Sequence, residues 1–101
     1  MNIDKNHVKT LLNALVNAYP QSVKNWDELS IVIGGEPSLI AHLVYLKEHG
    51  YIEGRFDFLG TASDNPWLID LPRTRINAKG LDYAAELNHV PVGMFISRTR
   101  R

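Results

Sequence analysis

The groups from which this 101-residue chain could build a catalytic or metal site are four histidines and eleven acidic residues, and it has no cysteine. The missing cysteine removes disulfides, thiolate metal ligands and thiol nucleophiles, and it fits a reducing compartment. His7, His42, His49 and His89 stand in no metal-binding spacing with acidic residues, and none sits in a Ser/His/Asp arrangement. His42 and His49 are seven residues apart on one helix face. Two ligands without a third seldom hold a metal, and His49, near a helix end, is better placed to meet the helix dipole. Gly34 and Gly35 are not followed by the Gly-Lys-Ser/Thr of a phosphate loop, and a turn between helices accounts for them. The sequence therefore predicts a protein that is not an enzyme, with no metal and no cofactor.

Binding is the remaining class of function, and charge bears on what is bound. Eleven basic residues balance eleven acidic ones, for a formal net charge of +0. A dedicated nucleic-acid binder usually carries a basic surplus on at least one face. The only dense basic cluster is Arg98, Arg100 and Arg101, which reads either as a solvated terminus or as a phosphate contact. Hydrophobic residues make up 45% and charged residues 22%, ordinary globular usage that argues against disorder. No apolar run nears the roughly 20 residues of a membrane span. The start, MNIDKNHVKT, lacks a signal peptide's basic head and apolar middle. The expectation is a soluble cytoplasmic protein without a membrane partner.

The elements that must position any binding residues follow from periodicity. Asp4 is placed to cap a first helix carrying Val8, Leu11, Leu12, Leu15, Val16 and Tyr19 at helical spacing, which Pro20 ends. Asn25 and Glu28 form a capping-box pattern for a short second helix through Trp26, Leu29, Ile31 and Val32, stopped by Gly34 and Gly35. The third helix opens with Pro37 in its first turn and closes at Gly50. On it Leu39, Ile40, Leu43, Val44 and Leu46 form the arc expected to be buried. Ser38, Ala41, His42, Tyr45, Glu48 and His49 form the arc expected to meet a partner. Alternation then predicts a hairpin. Ile52, Phe56 and Phe58 are on one face of its first strand, the loop Leu59–Pro66 follows, and the returning strand is Trp67–Leu71. Asn77 caps a last helix with Leu81, Ala84, Ala85 and Leu87, which Gly80 weakens. Trp26 and Trp67 read as core residues at the two ends of the domain. Residues 1–88 form one domain, and 89–101 form an extension with an apolar stretch, VPVGMFI, before the basic tail.

Two short signatures on either side of the hairpin resemble winged-helix repressors. Leu43, Leu46, Gly50, Tyr51 and Ile52 match the passage from recognition helix to wing. In RINAKGLDY, Ile76, Asn77, Lys79 and Gly80 match the lead-in to the helix after the wing. From Val8 to Leu87 the chain is similar to small bacterial and phage-associated winged helix-turn-helix proteins, many without an assigned activity. The resemblance implies an α+β fold with three N-terminal helices, a two-stranded antiparallel wing and a C-terminal helix. It also implies double-stranded DNA as partner and a transcriptional role. Ser38, His42 and Tyr45 would then face base edges, with Arg55, Arg73, Arg75 and Lys79 beside the backbone. The sequence departs from that pattern, because these are not the Arg, Lys, Asn and Gln that dominate base readout, and Glu36 and Glu48 add negative charge. The alternative is a protein-interaction or dimerisation module. It would use Ala41, His42 and Tyr45, or Val90, Val92, Met94, Phe95 and Ile96, to hold another protein or a second copy.

Overall fold

The computed structural model describes residues 3–60 and 66–89. The apolar stretch Val90–Ile96, the tail from Arg98 and the loop tip with Asp64 lie outside the described residues.

Helix α1 spans Lys5–Ala18, and the Asp4 side chain caps it by accepting the Asn6 N–H at 2.7 Å. It buries Val8, Leu11, Leu12, Leu15 and Val16, as their spacing requires, and stops at Tyr19, before Pro20. Helix α2 is Trp26–Ile33. Its expected capping box does not form, because the Asn25 amide donates to the Glu28 carboxylate at 3.1 Å and so satisfies the two side chains with each other. Helix α3 is Glu36–Glu48, with Pro37 in its first turn. Gly34, at φ 106°, ends α2 in the left-handed region, and α2 and α3 meet at 96°. That is the geometry of a helix-turn-helix.

Gly50, at φ 79°, turns the chain out of α3 into β1, Ile52–Glu53. In place of one continuous hairpin, the chain builds two short antiparallel ladders. β1 pairs with β4, Arg75–Ile76, in the register Ile52 opposite Ile76. β2, Phe56–Phe58, pairs with β3, Trp67–Ile69, setting Phe56 opposite Ile69 and Phe58 opposite Trp67. Gly54 separates the ladders at φ 154°, with the Thr74 backbone so close that an added Cβ would stand 3.2 Å from its Cα. On the return, Leu71–Arg73 forms a 3-10 turn, which takes Leu71 out of the strand. The reason is Pro72, which cannot donate to a ladder. We refer to β2 and β3 as the wing. Helix α4, Ala78–Leu87, completes the winged helix-turn-helix.

Leu11, Leu12, Leu15, Ile33, Leu43, Leu46, Ile52 and Ile76 are fully buried, so α1, α2, α3 and the inner ladder share one core. Asn77 binds α4 to the rest. Its Oδ1 accepts the Gly80 N–H at 2.8 Å, and its Nδ2 donates to the Gly50 carbonyl at 2.8 Å and to Glu53 Oε2 at 2.7 Å. Asn77→Ala removes both cap and cross-link and is expected to cost about 1–2 kcal/mol in urea unfolding. A loss below the uncertainty of such a measurement would mean that the cap carries little of α4's stability.

Candidate functional site

The surface that α3 offers differs from the one its sequence predicts. Ser38 and His42, assigned above to the exposed arc, are buried, and His42 is only 1% exposed. Ile40 and Val44, assigned to the core, are half-exposed beside Ala41. Apolar residues occur all round this helix, so polar bonding decides its roll. Ser38 Oγ donates to the Ile33 carbonyl at 2.8 Å. His42 Nε2 accepts the Asp4 N–H at 3.0 Å, which puts the ring proton on Nδ1, where it is donated to the Ser38 carbonyl at 2.7 Å. With these partners both side chains are satisfied inside the protein and tie α3 to the α2 turn and the start of α1. Neither can reach a base edge from there.

The outward side of α3 faces the wing across a cleft of about 220 Å³, whose lining includes Trp26, Leu39, Ile40, Trp67, Leu68 and Leu71. Asp27 and Glu36 are the charged residues in this lining, and neither is basic. Trp26 and Trp67 therefore share one cleft and do not mark opposite ends of the domain. Trp26 is fixed by its indole N–H, which donates to the Leu71 carbonyl at 3.1 Å. Other large apolar side chains are exposed as well: Leu68, in the cleft's lining, is 58% exposed and Phe58 56% on the wing, and Ile31 is 77% and Val32 64% exposed at the end of α2. The second helix buries Trp26, Leu29 and Ile33, a stripe that excludes Ile31 and Val32. An apolar run longer than one stripe can bury, SIVI, was the sequence signal for this patch.

The basic candidates do not converge on α3. Arg55 pairs with Asp57 on the wing at 3.1 Å, both well exposed. Lys79 lies over the Tyr51 ring, and its Nζ donates to the His49 carbonyl at 3.1 Å, at the end of α3. Arg73 and Arg75 are exposed and, with Lys24, line a separate, more open cleft of about 670 Å³ between the α1–α2 connection and the Leu71–Arg73 turn. Asp70 approaches Arg73 at 3.4 Å. Trp26 stands between the two clefts and lines both.

Tyr45 lies on a third side, in an aromatic row with His49, Tyr51 and Tyr83. Centroid separations are 4.5 Å for Tyr45–His49, 5.5 Å for His49–Tyr51 and 4.4 Å for Tyr51–Tyr83. Burial pushes the Tyr83 phenol above its ordinary value of 10.0, and the neighbouring Tyr45, Tyr51 and Glu86 add to the shift. Ionising this phenol is harder in the folded chain than in the unfolded one. Its contribution to stability is thus complete below about pH 10 and is lost as the pH rises through the folded value. An absorbance titration should resolve one late tyrosine that is missing from Tyr83→Phe; a uniform titration would contradict this packing.

Among the described residues no group of three His, Cys, Asp or Glu could hold a metal ion, and no single helix is long and apolar enough to cross a membrane. No family model, curated protein or solved structure matches the chain. The architecture is that of a winged helix-turn-helix, and the cleft between its third helix and its wing is the candidate site.

Proposed function

We propose that this chain is a winged-helix protein-interaction module that docks a protein segment in the cleft between α3 and the wing. One observation carries this reading. The helix that would enter a DNA groove turns Ser38 and His42 inward, leaves Ala41 and Val44 partly exposed, and presents Ile40 in one cleft with Trp67 and Leu68, where Glu36 and Asp27 are the charged residues. Apolar and aromatic surface with few charges suits a protein interface core. Carboxylates beside phosphates would oppose binding to DNA, whose affinity comes largely from counterion release by Lys and Arg.

A second reading, transcriptional regulation through duplex DNA, is favoured by the cleft that gathers Lys24, Arg73 and Arg75 next to the start of α2. The two readings use different residues and separate cleanly. Affinity capture from the source cell, run in parallel for the wild type and variants, is expected to lose its partner with Ile40→Glu or Leu68→Glu. Arg73→Ala with Arg75→Ala should leave the partner in place. Capture unaffected by Ile40→Glu would remove the docking reading. Low-salt binding to duplex DNA that is lost with the two arginines would put the second reading in its place.

A further inference from the structure

We propose that the cleft beside α3 receives the C-terminal segment, residues 90–101, of a second copy of this chain. The proposal rests on the docking reading above and names its occupant.

Charge and apolar complementarity carry it first. VPVGMFI supplies apolar side chains, and Arg98, Arg100 and Arg101 follow at once. The cleft offers the matching features: an apolar lining that includes Leu39, Ile40 and Trp67, with Asp27 and Glu36 beside it. Methionine and phenylalanine suit a shallow apolar cleft, and arginine forms two-pronged bonds with carboxylates.

The path of the chain points to a second copy. Helix α4 packs against α1, and after it the Asn88 amide donates to Asn13 Oδ1 of α1 at 2.9 Å. The cleft's lining comes instead from α2, α3, β3 and the turn after it. An extended chain advances at most about 3.3–3.6 Å per residue, so in its own copy Phe95, seven residues past Asn88, is confined to within about 25 Å of it. A neighbouring copy carries no such tether. Two copies that exchange segments close a two-fold dimer and leave no free cleft.

The chain's two tryptophans, Trp26 and Trp67, both line the cleft, so their emission reports its occupancy. Sedimentation velocity and tryptophan emission of the full chain should change together as concentration rises, with association accompanied by a blue shift. Phe95→Asp is expected to raise the apparent dissociation constant about thirtyfold or more. Glu36→Arg alone, and Arg100→Glu with Arg101→Glu alone, should each associate weakly, while a mixture of the two restores association, because in the mixed dimer opposite charges meet in both clefts. Weak association of the mixture overturns the proposal. So does an emission shift that follows Phe95→Asp without depending on concentration, since that places the segment in its own copy's cleft. A chain that stays monomeric at every concentration also overturns it. If that monomer still loses a captured partner on Ile40→Glu, the docking reading stands without this occupant.

Discussion

His42→Ala is expected to destabilise the protein by about 2–4 kcal/mol. The ring is fully enclosed, and truncating it leaves a cavity among tightly packed side chains. It also removes the acceptor for the Asp4 N–H and the Nδ1–H that reaches the Ser38 carbonyl. The carbonyl keeps its place in the helix ladder, and the exposed Asp4 N–H can turn to water, so the cavity supplies the larger part of the loss. A domain of this size has about 5–15 kcal/mol in total, and the variant would forfeit a large share of it. Urea unfolding should give a lower midpoint with an unchanged slope. His42→Asn, which keeps a donor for Ser38 but cannot span to Asp4, should fall between. If His42→Ala matched the wild type, His42 would be facing solvent and the roll of α3 described here would be wrong.

Gly80→Ala should lower stability by about 3 kcal/mol, although helix propensity alone would favour the change by about 1 kcal/mol. Packing decides the sign. A Cβ on Gly80 would collide with the Tyr51 carbonyl oxygen and stand 2.5 Å from Ile76 Cγ1. Tyr51 O is backbone and already accepts the Asn77 N–H at 3.2 Å, and Ile76 is fully buried, so neither can yield cheaply. The start of α4 would have to move off the inner ladder and weaken the Asn77 bonds to Gly50 and Glu53. A thermal or urea midpoint equal to or above that of the wild type would show that this contact is looser than described.

The glycine also illustrates what a sequence can and cannot disclose. Gly80 reads as a weakness in a helix because propensity is local, whereas its reason is a close approach to Tyr51, distant in the chain. The elements with strong local signals were legible: Asp4 and Asn77 cap, Pro20 and Gly50 stop, and the first helix buries the residues its period marks. The winged helix-turn-helix order was legible for the same reason. The roll of α3 was not, since Ile40 and Val44 are as apolar as Leu39 and Leu43, and bonds outside the helix, from Ser38 to Ile33 across the turn and from His42 to the distant Asp4, hold Ser38 and His42 inward. The meeting of Trp26 with Trp67 across one cleft was hidden too, because it joins residues about forty positions apart that only the tertiary fold brings together.

The roll of α3 makes the surface. It takes two of the three expected base-reading side chains into the interior, places Tyr45 in an aromatic row, and leaves the third helix with Ile40 in the cleft it shares with the wing. The basic candidates are divided between the Trp26 side and the wing, and Lys79 is engaged at the end of α3. A winged helix is a scaffold that serves several kinds of recognition, so the side chains presented decide the function.

The roll of α3 is the most direct point at which to test this account, and the absence of native cysteine makes the test clean. Single cysteines placed by Ser38→Cys, Ile40→Cys and Val44→Cys, in dilute protein, can be followed by their rate of thiol labelling. Ile40→Cys and Val44→Cys, partly exposed, are expected to react directly in the folded protein, and Ser38→Cys about a hundredfold or more slower than either, because it must wait for the fold to open. Fast labelling at position 38 with protection at positions 40 and 44 would contradict the account, returning Ser38 to a surface where it could face DNA.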